Sequence, residues 1–430
     1  MVASVRAAVR RQRVALTEES RPILQPAVEC AVFLVTSTRV LSPLFLGVGV
    51  ASSLAKYARN VQDGVRRGRR PPRVRRPTRT LVSLTGPAGN IGDALIRRAT
   101  LAWARDTSHE LVVYTGDAPD AWLAQLGVPG DAVLLRSKGS VPRWLWMILS
   151  APTRPVLVFE AGEVPLDRGN VARELVFLAE TLIVRLKRGV VVRPPRGIRD
   201  PTNPAARLHA RAAALSQFAL WRDGASAALV GGTRVVPDIG FAAGARPGKP
   251  WHDRGELLVS LRGARPHPGA AWVEAVRATA AAAGLRIRTI VQVREDEDRA
   301  QEIAAALGGE FEAWGDRAPL AQEALLRERY DGARLVISDR MHVLVLAALS
   351  GAVPVELVPR PTGKIAAAFA TAGLRDLSLD ASTSTAGDMR LFLCAQLDRG
   401  DEVCARMHEA HRQLADLEAE VRATIRAARA

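Results

Sequence analysis

A chain of 430 residues, 48% hydrophobic and 24% charged, is long enough for two domain-sized cores and is neither fibrous nor broadly disordered. Its net charge of +16 invites a nucleic-acid reading. Residues 1–80, however, hold 16 Lys/Arg against four acids, so +12 of that charge lies there and the remaining chain is nearly neutral, which removes nucleic acid as the expected partner.

The first 60 residues read as helices. Within them the apolar run AVFLVTSTRVLSPLFLGVGVA, Ala31–Ala51, carries Arg39 and Pro43 near its middle. A central arginine is costly in a bilayer, so a buried or interfacial hairpin is expected there rather than a spanning helix. VRRGRRPPRVRRPTRT, Val65–Thr80, joins proline to dense like charge and reads as a linker. It suits a solvated tether and, equally, the anionic inner face of a membrane, where each positive charge contributes about 1 kcal/mol. Cys30, Cys394 and Cys404 form neither a disulfide framework nor a zinc site, so a cytoplasmic protein without a metal is expected.

From Thr80 onward short apolar runs alternate with helical stretches: LVSLTG, a helix from about Asp93, ELVVYTG, AVLLRS, RPVLVFEAG, a long helix and RGVVVRPP. The second half repeats the habit in FALWRD, RVVPDIG, ELLVSLRG, LRIRTIVQV, LVISDR and VPVELV, several separated by alanine-rich helices. Such alternation predicts parallel sheets covered by helices on both faces. The expected domains are a basic helical extension over 1–80, an α/β lobe over 81–205, a second over 206–385 and a helical tail over 386–430. Two facing α/β lobes place their ligand in the cleft at the carboxyl ends of their strands. The tail packs across the first lobe or pairs with another subunit as a homo-oligomer; the sequence leaves both open.

Four motifs stand at strand ends. TGPAGNIGDALI carries Gly89, Asn90, Gly92 and Asp93 at a strand-to-helix turn, where backbone can approach a ligand and helix N–H groups are free; Asp93 also fits a plain helix cap. LWRDGAS places Arg222 where a guanidinium can grip a carboxylate or phosphate through two bonds. LVISDRMHVLVLAALSGAVPV sets Ser338, Asp339, Arg340 and His342 between a buried strand and an almost wholly apolar helix, where polar groups need a ligand or a dedicated partner. PRPTGKIAAAFATAGL holds Lys364, one of five lysines in the chain, just before a helix.

In this order and spacing, GNIGD, WRDGAS, SDRMH with its downstream GAVPV, and GKIAAAFATAGL resemble the polysaccharide pyruvyltransferase family over roughly Leu81–Leu379. The SxRxH element, with the glycine, proline and lysine that follow it, is the most specific part. The resemblance implies a GT-B-like pair of Rossmann-like lobes and transfer of the enolpyruvyl group of phosphoenolpyruvate, a co-substrate rather than a cofactor, to a sugar or lipid-linked glycan of the cell surface. It makes Arg222 and Arg340 the grips for the donor, with Ser338 of the same element on the donor side, and His342 the catalytic residue beside Arg340. Lys364 assists with phosphate, and Gly89, Asn90 and Asp93 face the acceptor. The chain departs from the family pattern at FEAGEVP, Phe159–Pro165, and at RGIRDP, Arg196–Pro201. Residues 1–80 lie outside the resemblance, and a peripheral contact with the inner membrane surface stays open for them beside the solvated tether. Two alternatives stay open: a GT-B glycosyltransferase using a nucleotide sugar, and a non-catalytic glycan-assembly protein of the same fold.

Overall fold

The computed structural model describes residues 79–429, apart from 87, 106–109, 153, 246 and 247. The extension and linker expected over 1–80 lie outside the described residues, except for Arg79 and Thr80, which open the first strand.

Seven parallel strands build the first lobe: β1 (Arg79–Ser83), β2 (Glu110–Gly116), β3 (Val133–Arg136), β4 (Val156–Val158), β5 (Gly162–Pro165), β6 (Val190–Arg199) and β7 (Phe218–Trp221). Their order is β3-β2-β1-β4-β6-β5, with β7 also on β6. Leu81, Val82, Leu157, Val158, Val191 and Val192 are fully enclosed, as strands covered on both faces require. The cover comes from α1 (Ile91–Ala104), α2 (Asp120–Leu126), α3 (Val141–Leu149), α4 (Val171–Leu186), α5 (Asn203–Ala214) and α6 (Gly224–Leu229).

The second lobe holds β8 (Glu256–Ser260), β9 (Arg286–Ile290), β10 (Glu310–Glu312), β11 (Ala333–Ser338), β12 (Val353–Val358) and β13 (Ser378–Asp380). Their order, β10-β9-β8-β11-β12-β13, is the doubly wound 3-2-1-4-5-6 arrangement. Its helices are α7 (Ala270–Ala282), α8 (Glu297–Leu307), α9 (Pro319–Gly332), α10 (Met341–Leu349) and α11 (Lys364–Thr371). Every side chain of α10 from Val343 to Leu349 is buried, so this helix has no solvent face and runs through the core. The expected pair of Rossmann-like parallel-sheet lobes is therefore the architecture observed.

The expected boundary at residue 205 moves. FALW forms β7, which hydrogen-bonds to β6 and completes the first sheet, and the second sheet starts only at Glu256. RVVPDIG, read as a strand, makes a single bridge, Val235 to Trp221, before Asp238 caps a 3-10 turn at Ile239–Ala243. The short strands GEVP, EFE and SLD were not foreseen, because three or four mixed residues carry no period.

After α12 (Ala386–Gln396), the tail forms α13 (Gly400–Arg429), 30 residues long, and packs back across the first lobe. Val403, Met407, Ala410, Leu414, Leu417, Val421 and Ile425 supply its buried stripe at helical spacing. Arg234 grips Glu420 at 2.7 Å, and Arg422 donates to the Ala102 carbonyl at 3.0 Å. The lobes also meet where Arg98 of α1 holds Glu323 of α9 at 2.5 Å. Burial alone would raise the Glu323 carboxyl, but Arg98 and Arg327 hold it down to about 2.

Candidate active site

The chain following β1, β4, β7, β8, β9 and β11, the end of β6 and the start of α11 surround one cavity of about 320 Å³ between the lobes. In both sheets it lies at the carboxyl ends of strands beside the point where strand order reverses, which is where doubly wound folds hold ligands.

From the first lobe come Asn90, Asp93 and Glu163. Asn90, not Asp93, is the cap of α1: its side chain accepts from the Gly92 and Asp93 amides. Asn90 Nδ2 also donates to Asp93 at 2.7 Å, and Asp93 pairs with Arg97 at 2.7 Å. Gly89 has φ +86°, a conformation glycine adopts without strain, but it does not line the cavity. Gly92 is required for a different reason than ligand approach. A Cβ there would stand 2.4 Å from the His342 Cβ, so this glycine lets α1 close against the catalytic candidate of the other lobe.

The SDRMH element divides its labour. Ser338 is wholly buried, donates to the Ser260 carbonyl at 2.5 Å and accepts from the Arg340 amide at 2.9 Å. It shapes the turn and does not reach the cavity, so its expected donor contact is replaced by a role in placing Arg340. Asp339 accepts from the Arg262 amide at 3.0 Å and lies 3.5 Å from the Arg265 guanidinium. Burial raises its carboxyl in spite of these cations. Arg340 lines the cavity with its Nε bonded to Asp296, which leaves its terminal nitrogens for a ligand.

His342, the second residue of α10, turns Nε2 toward Asp238 Oδ1 at 3.7 Å. Asp238 is buried and also takes Arg222 at 3.3 Å and the Gly240 amide at 2.8 Å. Burial would raise its carboxyl; His342, Arg222 and the Gly240 amide bring it down to about 2, so it stays ionised. Arg222 sits directly over Gly197, where a Cβ would come within 2.7 Å of its Nε. The Asp223 carboxylate of the same motif caps α6 by accepting from the Ser226 amide at 2.7 Å.

Sequence reasoning missed five groups. Glu163 reaches Lys364 at 2.9 Å, Arg222 at 3.4 Å and Arg199 at 3.6 Å, bridging the lobes between two of the expected donor grips. Burial works against its ionisation, and Lys364, Arg222 and Arg199 together hold its carboxyl below the usual range. Glu163 lies in FEAGEVP, and Arg199 in RGIRDP, the two departures from the family pattern. Arg262 and Arg265, on the loop after β8, complete a lining of six cationic side chains against three carboxylates. Asp238 has no motif signal at all, since it stands in a segment read as a strand.

No family model and no curated protein matches the chain. It is similar in fold to several solved structures. Anabaena HepE in complex with UDP is 12% identical, with a TM-score of 0.49, over 81% of this chain and 100% of that one. The UDP-GlcNAc 2-epimerase of Methanocaldococcus jannaschii is 11% identical, with a TM-score of 0.48, over 79% of this chain and 99% of its own. A Thermobaculum terrenum O-GlcNAc transferase mutant is 15% identical, with a TM-score of 0.45, over 83% of this chain and 69% of its own. The class that the two sheets and the cleft between them define is a two-lobed, GT-B-like α/β protein.

Proposed function

We propose that the chain is a transferase of the polysaccharide pyruvyltransferase type, taking phosphoenolpyruvate as donor and a sugar with two neighbouring hydroxyls as acceptor. The observation that carries this reading is the convergence of His342, backed by ionised Asp238, with Arg340 and the further cations of one interlobe cavity. The small donor, with two anionic groups, needs cations for its carboxylate and its phosphate, and an acid for its methylene carbon.

With Nε2 facing Asp238, proton delivery to a ligand falls to Nδ1 of His342. The proton forms a C–H bond at the methylene carbon, and positive charge develops at the neighbouring carbon that bears phosphate. One sugar hydroxyl attacks that carbon and loses its proton; the C–O bond to phosphate then breaks, and the second hydroxyl closes the ketal and loses its own. The two hydroxyl protons balance the one gained by the methylene carbon and the one carried off with phosphate. Arg340, fixed by Asp296, and the pair Arg262 and Arg265 stand where a leaving phosphate gains from guanidinium groups. Asn90 and Asp93 line the same cavity from the first lobe, available to an acceptor's hydroxyls.

Calorimetry tests this directly. Phosphoenolpyruvate is expected to bind the wild type, to lose binding with Arg340→Ala and to keep it with His342→Ala. A wild type that ignores phosphoenolpyruvate and binds a nucleotide sugar would overturn the reading in favour of a glycosyltransferase.

A further inference from the structure

Helix α4 covers the sheet with a mixed face and leaves a leucine stripe outside. Glu174, Glu180, Thr181 and Val184 are buried and Phe177 packs against the core, while Leu175, Leu182 and Leu186 point to solvent, with Leu186 83% exposed. Spacings of seven and four residues put those leucines on one stripe. The buried polar groups have partners beneath the helix: Glu174 meets His209 of α5 at 2.7 Å, Glu180 accepts from Trp144 of α3 at 2.8 Å, and Thr181 accepts from Arg193 of β6 at 3.1 Å. The neighbouring α3 repeats the pattern outward, with Trp146 64% and Leu149 40% exposed. Lys187, just past α4, donates to the carbonyls of Ile148 and Ala151 and ties the ends of the two helices together, so the apolar residues form one surface.

That surface is rimmed by cations. Arg143, Arg185 and Arg188 are exposed around it, and Arg154 is half-buried beside it. The chain also enters the fold here. Arg79 donates to the Met147 carbonyl at 2.8 Å and to Ser150 Oγ at 3.1 Å, so the basic stretch Val65–Thr80 joins the folded body at the end of α3. An apolar centre, a basic rim and a basic chain segment arriving at the same edge match one kind of surface.

We infer that the exposed face of α3 and α4 docks on an anionic lipid bilayer, with Trp146, Leu149, Leu182 and Leu186 entering the interfacial layer and the arginines meeting the headgroups. A second copy of the chain fits the face less well, because two identical basic rims would be brought together. The basic segment that arrives at this edge, part of the +12 of residues 1–80, adds to the attraction for an anionic surface. At nine and 16 residues, α3 and α4 are too short to span, so the contact lies along the surface.

The test is co-sedimentation of the full chain with vesicles of phosphatidylglycerol and phosphatidylethanolamine, against vesicles of phosphatidylcholine alone. The wild type is expected to prefer the anionic vesicles. A combined Trp146→Ser, Leu182→Ser, Leu186→Ser variant is expected to bind them about tenfold more weakly or worse. Leu186→Ser alone, the substitution least able to disturb folding, is expected to give a smaller loss in the same direction. Leu391→Ser, on the distant and equally solvent-facing α12, is expected to change nothing. Equal binding by wild type and combined variant would overturn the inference and assign the affinity to residues 1–80. Absence of wild-type binding would overturn it too, as would a variant that loses only self-association in the ultracentrifuge.

Discussion

Two histidine–carboxylate pairs are built into the first half of the fold and its interface, in opposite surroundings. His342 and Asp238 meet at 3.7 Å on the wall of the cavity, with His342 partly exposed to it. His209 and Glu174 meet at 2.7 Å, both fully enclosed beneath α4, with Arg193 lying 4.0 Å over the Phe159 ring close by. Burial holds His209 down to about 4, against the pull of Glu174, and pushes Glu180 in the same layer up to about 7. His209 is thus strongly perturbed although its ring and the Glu174 carboxylate are both sealed from solvent. Perturbation marks where charge has been buried, and only the adjoining cavity marks where that charge can act.

Exchanging the members of each pair breaks this contrast in different ways. His342→Asn is expected to lower turnover by about 100- to 10,000-fold, read as phosphate release from phosphoenolpyruvate with a glycan acceptor, while the unfolding midpoint holds. His209→Ala is expected to do the reverse. It leaves Glu174 buried without its ring partner and should cost about 2–3 kcal/mol in urea unfolding, with phosphoenolpyruvate binding by the folded fraction intact.

The two buried groups also predict opposite pH trends. Because His209 titrates lower in the folded chain than its unfolded value of about 6.5, its share of stability is complete above that pH and is lost on acidification toward about 4. Because Glu180 titrates higher when folded, its share is complete at low pH and is lost as pH rises from the unfolded value of about 4.3 to about 7. Glu180→Gln keeps an acceptor for Trp144 and is expected to add about 2 kcal/mol at pH 8 and little at pH 4, measured by urea unfolding at both. The smallest effect falls at Lys364, which is 42% exposed and already paired with Glu163. Lys364→Ala is expected to weaken phosphoenolpyruvate binding by only about three- to fivefold in calorimetry, the scale of a solvent-screened ion pair.

The strand-helix alternation fixed the two parallel sheets, since enclosed strands must be apolar on both faces and Leu81–Val82, Leu257–Val259 and Leu335–Ile337 are. The same logic singled out SDRMH, because polar residues between a buried strand and α10, buried from Val343 onward, must stand at the turn or the helix start, and Arg340 and His342 do line the cavity. Arg222, Lys364, Asn90 and Asp93 were legible as strand-end or helix-start residues for the same reason. Tertiary structure alone decided the rest. Glu163 of the short β5 and Arg262 and Arg265 of the loop after β8 come to the cavity, and Asp238 comes behind His342, from segments whose sequence has no period, so nothing local announced their neighbours. It also decided which face of α4 turns inward. The leucine stripe would compete for the core by itself, but Val184 and Phe177 take the inner face together with Glu174, Glu180 and Thr181, which find His209, Trp144 and Arg193 beneath them, and buried polar groups with partners add to an orientation that periodicity alone leaves open.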